Sequence, residues 1–529
     1  MGIYVNPGSD AYEKAVNSEI YVDKSGILKS LNRMIGTEQS FICSSRARRF
    51  GKSVTAGMLE AYYSKGCNSE KLFMGLEIAE DKDFRKHLNQ YDVIHVDMSS
   101  IWVNCGRVSE AFLPLLNRQI FRELQEEYAE VDLSSCETLA LALAEINKVL
   151  GIRFVVIIDE WDTVFREAKN DQTLQEDYIA VLRGLFKSDE AKSFIALAYI
   201  TGILPIKKYG IESALNNFRE YTMIKPMRFA KYYGFTEDEV KMLCDEYGMD
   251  FAQMQKWYDG YCFSGNQHIY NPNSVVNALL DGEYCSYWSN TESFSSLKNY
   301  ISLNFDGLRD DIMRMFAGER CPVDVDSFSN DLVSYQSKDD VMTALIHLGY
   351  LAYDAELKEA FIPNMEVQNA FEGAIKQAEW QEVADAINAS RQLLQSTWRM
   401  DADAVAEAIE RVHMQSASIF SYNDENSLSC VLNLSYYCAK DYYNVIREMP
   451  LGRGYADFVY VPKKNRDVPA MIIELKYGKS AEKAIAQIRE RKYMDGLTDN
   501  KDNLLLVGIN YDKETKKHTC KIEKYVVAT

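Results

Sequence analysis

The sequence predicts a multidomain α/β protein, and three observations carry that prediction. The chain has 529 residues, beyond the size at which a single hydrophobic core keeps growing. Its first ~170 residues alternate short β-rich runs with helical periodicity, the pattern of a parallel sheet flanked by helices. After a long helical stretch, aromatic and β-branched runs return near the carboxyl terminus.

Taken in order, strands are expected at Ser40 to Ser44, Val93 to Met98, Phe154 to Asp159 and Phe194 to Gly202. Helices are expected between them at Lys52 to Tyr63, Ser109 to Tyr128, Glu137 to Leu150 and Leu174 to Phe186, where apolar residues recur at three-to-four spacing. This first domain is expected to span 1–205. Residues 206–289 turn mostly helical and are expected to form a lid, with the run Thr236-Glu237-Asp238-Glu239 capping one helix. A helical, winged-helix-like connector is expected over 290–415, and its stretch Val367 to Val412 has almost no turn formers until Met400-Asp401. The last domain, 416–529, is expected to be built on strands at Ala456 to Val461, Ala470 to Lys476 and Asn503 to Ile509.

Composition narrows the function classes. With 47% hydrophobic and 26% charged residues and only 10 Pro, the chain is neither collagen-like nor wholly disordered. A net charge of −19 excludes a uniformly basic nucleic-acid coat. Residues 440–529, however, carry 18 Lys+Arg against 13 Asp+Glu, a local +5 that leaves −24 elsewhere. Eleven cysteines without a CxxC pair suit a reducing compartment. Six histidines form no HExxH, which argues against a zinc hydrolase. The apolar stretch Ser193 to Ile206 is broken by Thr201, Gly202 and Pro205 and falls short of the ~20 residues a bilayer requires. With Asn6 in place of a myristoylation Ser or Thr, and no basic-then-apolar leader, a cytoplasmic location without membrane attachment is expected.

Two stretches carry chemistry. From Phe41 to Ser53 an apolar strand enters a loop ending Gly51-Lys52-Ser53 and then a helix, the order of a P-loop. There Gly51 would admit backbone amides to phosphate, Lys52 would reach the terminal phosphates, and Ser53 would ligate Mg²⁺. Arg46 occupies the position of the usual first glycine. The run Phe154 to Glu160 is a strand buried on both faces that ends in two acids, as a Walker B strand does: Asp159 for the Mg²⁺ shell and Glu160 for the attacking water. Thr201 ends the next strand, as a γ-phosphate sensor or as part of a turn. Arg48 and Arg49 either bridge nucleotide phosphates, act on a neighbouring subunit's nucleotide, or hold the loop by a salt bridge. The second stretch sets Asp457 on one strand and Glu474-Leu475-Lys476 on the next. Strand alternation puts Glu474 and Lys476 on one face; if the strands pair, two carboxylates and an ammonium converge, suited to Mg²⁺ or Mn²⁺ and phosphodiester cleavage. A solvated cross-strand ion pair is the alternative. The aromatics of Tyr284 to Trp288 would stack bases or pack a core.

Tyr21-Val22-Asp23-Lys24-Ser25, Arg46 to Ser53, Asp159-Glu160-Trp161-Asp162, Trp257-Tyr258-Asp259-Gly260-Tyr261 and Tyr270-Asn271-Pro272 resemble the bacterial AAA-ATPase-like family with a C-terminal PD-(D/E)XK nuclease-like domain. In that family the loop reads Thr-Arg-Pro-Arg-Arg-Phe-Gly-Lys-Ser, so the absent first glycine is a shared trait; Ser45 and Ala47 here replace the Thr and Pro. The resemblance implies a P-loop NTPase joined to a restriction-endonuclease-like α/β domain. It further implies ATP with Mg²⁺ or Mn²⁺ as cofactors and nucleic acid as partner, DNA ahead of RNA, in a mobile-element or defence setting. Asp457, Glu474 and Lys476 match the Asp…Glu-x-Lys signature. Gln487 and Tyr493 resemble the Gln-x₅-Tyr feature of relatives, and Glu425 or Glu448 falls where such folds place another carboxylate. A homo-oligomer is compatible with this resemblance. The expected function is an ATP-dependent nuclease; the alternative is a nucleotide-switched nucleic-acid-binding or translocating protein with an inactive nuclease fold.

Overall fold

The computed structural model describes residues 2–206, 208–209, 212–263, 267–288, 293–303, 305–316, 318–329, 335–377, 381–416, 425–463, 468–497 and 503–525. Two compact units divide the chain: Met1–Ser293 with Pro322–Asn369, and Phe294–Cys321 with Ala370–Thr529. The stretch expected as one connector, 290–415, is therefore shared between them.

In the first unit five strands form an all-parallel sheet: β1 (Phe41–Ser45), β2 (Asp92–Asp97), β3 (Phe154–Asp159), β4 (Ile195–Gly202) and β5 (Arg219–Tyr221), in the order β2-β3-β4-β1-β5. β3 and β4 are buried along their whole length, because helices cover both faces. Alternation sorts their side chains. Val156, Ile158 and Ile200 join the core beneath the helices Ser109–Glu127, Leu139–Leu150 and Gln172–Lys187. Val155, Ile157 and Tyr199 join the opposite core, against the helix Lys52–Tyr63. Each such side chain removed from water contributes ~1.5–3 kcal/mol. The same alternation carries Asp97, Asp159 and Thr201 onto the face of the helix that Lys52 opens. β5, three residues long and bearing Arg219 and Glu220, has no apolar signature and was not legible in the sequence.

Residues 206–289, expected to form a lid, hold the helices Glu237–Tyr247, Phe251–Tyr258 and Pro272–Asp281 and the hairpin Tyr261–Phe263 with Gln267–Tyr270. Thr236 caps the helix as expected, and Glu239 adds the reciprocal bond of a capping box. Later in this unit the helix Lys338–Leu348 leads into the antiparallel hairpin Ala352–Asp354 with Glu359–Phe361.

The second unit contains a five-stranded mixed sheet: β6 (Tyr443–Leu451), β7 (Gly454–Pro462), β8 (Ala470–Tyr477), β9 (Leu504–Asp512) and β10 (Lys517–Lys524), side by side in that order. Only β8 and β9 are parallel, and the helix Ala481–Glu490 crosses between them. Ile485 and Ile488 of that helix pack on Ala470 and Ile472, so the even-numbered face of β8 looks toward it. The stretch expected as helical holds the helices Met365–Gln377, Gln381–Trp398 and Ala402–Ser416, with Met400 left-handed between the last two. The expected hairpin Pro462 to Val468 lies partly outside the described residues, at 464–467.

Candidate functional sites

Gly51 is left-handed at φ 83°, and a Cβ there would meet nothing within 4 Å; the glycine serves the backbone turn rather than the space. That turn aims Lys52 back across its own loop, where Nζ donates to the Ala47 carbonyl at 3.0 Å. Lys52 is 5% exposed, and burial lowers its pKa against the opposing pull of Glu160 and Asp159. The Ser53 hydroxyl is hydrogen-bonded to Asp159, whose pKa is raised by burial. Arg46, at the position of the usual first glycine, is fully buried. Its guanidinium donates to the carbonyls of Ser45 at 2.9 Å and Tyr221 at 2.7 Å and lies 4.9 Å from the Tyr233 ring, which ties β1 to β5 from inside. Burial holds it down to about 10.

A cavity of about 1100 Å³ opens over this loop, lined by Arg48, Arg49, Lys52, Ser53, Glu160, Trp288 of the aromatic segment, and two residues the sequence did not single out, Asp97 and Arg166. Asp97 stands in register with Asp159 across β2 and β3 and accepts from the Ser99 amide at 2.9 Å. A strand-ending acid was its one available signal. Arg49 is left-handed, and its guanidinium donates to the Tyr287 carbonyl at 3.3 Å. Trp288 is buried and stacks on Tyr350 with centroids 5.1 Å apart; the amides of Tyr287 and Trp288 both donate to the buried carboxylate of Glu366 at 2.7 Å. Packing thus accounts for these two aromatics of the Tyr284 to Trp288 segment. Thr201 is fully buried with its hydroxyl unpartnered, and it does not line the cavity. Gly51, Val54, Pro272 and Asn273 are shared with an adjoining apolar cavity of about 410 Å³ walled by Tyr12, Ile20, Val22, Phe50 and Met58.

In the second unit Phe458 pairs with Ile473, so continuing the antiparallel register sets Asp457 opposite Glu474. Asp457 accepts from the Leu475 amide at 2.7 Å. Glu474 is 1% exposed; its Oε1 accepts from Lys476 Nζ at 3.0 Å and from the Gln487 side-chain amide, while Oε2 is buried without a partner among the described residues. Burial, reinforced by the neighbouring Asp457 carboxylate, pushes Glu474 up to about 7. Lys476 Nζ also donates to the Leu475 carbonyl at 2.8 Å. Tyr493 donates to the Tyr455 carbonyl at 2.6 Å and meets Gln487 at 3.4 Å. Five of the expected residues are thus gathered by β7, β8, the helix Ala481–Glu490 and the turn after it.

The accessory acids stand apart. Glu448 faces Asp457 across β6 and β7, between the pairs Arg447–Phe458 and Met449–Ala456, but it is left-handed and exposed. Glu425 opens the helix Glu425–Ser435, and its side chain lies outside what is described. Among the described residues no three His, Cys, Asp or Glu side chains form a metal-holding group. Two carboxylates with a spare buried oxygen fit a hard divalent ion that keeps water and substrate oxygens as its remaining ligands.

Comparison with known proteins agrees with this division. Residues 8–212 match the family described as predicted AAA-ATPase, and residues 424–521 match the PD-(D/E)XK nuclease superfamily. A curated relative, an uncharacterized protein in the vnfD 5′ region of Azotobacter chroococcum mcd 1, is 24% identical over 285 residues, 51% of this chain and 50% of that protein. The chain thus spans about half the length of the curated relative it matches. Among solved structures, the Aeropyrum pernix ORC2 protein in ADPNP and ADP complexes aligns over 70% of this chain and 98% of its own, at 12% identity and a TM-score of 0.32.

Proposed function

We propose that this chain, which joins a predicted AAA-ATPase domain to a PD-(D/E)XK nuclease-superfamily domain, binds and hydrolyses ATP with Mg²⁺ in its first unit and cleaves nucleic acid with Mg²⁺ or Mn²⁺ in its second. The observation that carries the nuclease half is the buried, unpartnered Oε2 of Glu474 beside Asp457, in a cluster that also supplies an ammonium. A divalent ion would be held by Asp457 and Glu474 and would neutralise phosphodiester charge and activate water. Lys476 would orient that water or stabilise the pentacoordinate phosphorus, and Gln487, fixed by Tyr493, would keep Glu474 in place.

The ATP half rests on Lys52 and Ser53 lining a cavity large enough for a triphosphate, with Asp159 buried beside Ser53 and the apolar cavity beside Gly51 suited to the base. Lys52 would leave the Ala47 carbonyl for phosphate oxygens, Ser53 and Asp159 would hold Mg²⁺, and Glu160 would orient water. Arg48 and Arg49 would add positive charge at the cavity rim. The protein has the cytoplasm as its proposed location, and the cluster of the second unit has DNA as its proposed substrate.

The test is an assay of ATP turnover and of cleavage of plasmid, linear and single-stranded DNA with each metal. Cleavage that requires metal and is lost in Glu474→Gln supports the proposal. ATP turnover stimulated by DNA, with no strand broken under any condition, would replace it with a translocating or switching protein whose nuclease fold is inactive.

A further inference from the structure

Arg166, in the short helix Thr163–Glu167, was not anticipated from the sequence, and its environment is unusual for a nucleotide cavity. Its side chain is 9% exposed yet lines the cavity alongside Lys52, Ser53 and Glu160. One flank faces a fixed partner: Nε forms an ion pair with Asp162 Oδ2 at 3.2 Å, and that carboxylate is itself fully buried and accepts from the amides of Ile203 at 3.0 Å and Leu204 at 2.8 Å. The other flank is exchangeable. Nη2 pairs with the Glu160 carboxylate and reaches Thr163 Oγ1 at 3.3 Å, while Nη1 lies 4.0 Å from the Glu167 carboxylate.

Glu160 is held for this contact by its backbone. At φ 52° it is left-handed, a conformation that costs a non-glycine residue ~1–2 kcal/mol. It is locked by the Asp159 side chain, which accepts from its amide at 2.9 Å, and by Thr163, whose amide and hydroxyl donate to its carbonyl at 2.9 and 2.7 Å. The acid best placed to orient water is therefore tied, by a strained turn, to a cation facing the same cavity.

We infer that Arg166 distinguishes a triphosphate from a diphosphate: its Nη edge exchanges the Glu160 carboxylate for oxygens of the terminal phosphate, and the exchange releases Glu160 to water. The anchored Asp162 flank keeps the guanidinium in place while its partner changes, and phosphate offers the fork the same bidentate geometry that a carboxylate does. A diphosphate, lacking the outermost group, leaves the Arg166–Glu160 pair intact.

This inference rests on the ATP reading, and calorimetric titration of the full chain with Mg²⁺·ATP and Mg²⁺·ADP separates the two. Arg166→Gln should weaken ATP about tenfold or more and ADP less than about twofold. Arg166→Lys should recover part of that loss, since it restores charge without the fork. Glu160→Gln, which removes the competitor for Arg166, should tighten ATP a few-fold relative to ADP. Equal loss of both nucleotides in Arg166→Gln, or an unchanged ATP-to-ADP ratio in Glu160→Gln, would make Arg166 a structural clamp and overturn the inference. Wild-type chain that binds neither nucleotide would instead overturn the ATP reading, and the inference with it.

Discussion

Lys52 and Lys476 are both buried, one at the head of the helix Lys52–Tyr63 and the other near the carboxyl end of β8, but their partners differ in kind. Lys52 donates to a backbone carbonyl of its own loop and faces a cavity of about 1100 Å³. Lys476 sits 3.0 Å from Glu474 inside a cluster whose other side chains already bond one another. The first site keeps its cation available and pairs Glu160 with Arg166. The second neutralises its cation locally and leaves one carboxylate oxygen unsatisfied. A buried cation bonded only to a carbonyl suits a large multivalent anion, whereas a buried carboxylate pair with a spare oxygen suits a small cation. One polypeptide thus carries two sites of opposite electrostatic demand.

The sharpest break of that comparison is a pair of variants. Lys476→Ala should lower metal-dependent DNA cleavage about a thousandfold while nucleotide affinity stays within about twofold, and Lys52→Ala should cost about a hundredfold in ATP affinity while Mn²⁺ binding in the second unit persists. Cleavage assays and paired ATP and Mn²⁺ titrations check both; a loss of both functions in either variant would mean that the sites are not separate.

A smaller effect concerns protons. With Glu474 raised to about 7 from its ordinary 4.5, the folded chain holds a proton that the unfolded chain releases between those values. Metal must displace that proton, so Mn²⁺ affinity should fall about tenfold per pH unit below about 7 and level off above it. The same sign applies to stability without metal. Because the folded state binds more protons across that window, stability contributed at this site falls as pH rises from 4.5 through about 7. Glu474→Gln should accordingly raise the melting temperature at pH 8 relative to pH 5. A flat Mn²⁺ affinity from pH 5 to 8 would show that Glu474 is already ionised.

The smallest expected effect is at Gln487, which donates to Glu474 and meets Tyr493. Gln487→Ala should weaken Mn²⁺ about tenfold, the worth of one hydrogen bond to a charged group, with nucleotide binding unchanged. No change would assign the orientation of Glu474 to Lys476 alone.

The sequence revealed the strand from Phe154 to Asp159 to the residue, because a strand buried on both faces is apolar at every position and ends where polarity begins. It also located Asp457, Glu474 and Lys476, since period-two alternation places side chains without knowledge of the rest of the fold. It missed β6 and β10, the two edges of the second sheet. Edge strands carry charge and proline to discourage pairing with other chains, and Arg447, Glu448, Pro450 and the lysines of 517–524 erase the apolar signal that reading depends on.

Local chemistry thus fixed the residue types and their faces: a Gly-Lys-Ser turn, a strand ending in acids, and a Glu-x-Lys strand. Only the tertiary structure decided which of those groups meet. Arg166 reaches Glu160 because a left-handed turn swings the acid back over the following helix, Arg46 turns inward because β5 offers it a carbonyl, and Thr201 is sealed from the cavity despite facing its side of the sheet. Such contacts depend on distances between segments remote in sequence or on rare backbone conformations, and neither leaves a periodic trace in the order of the amino acids.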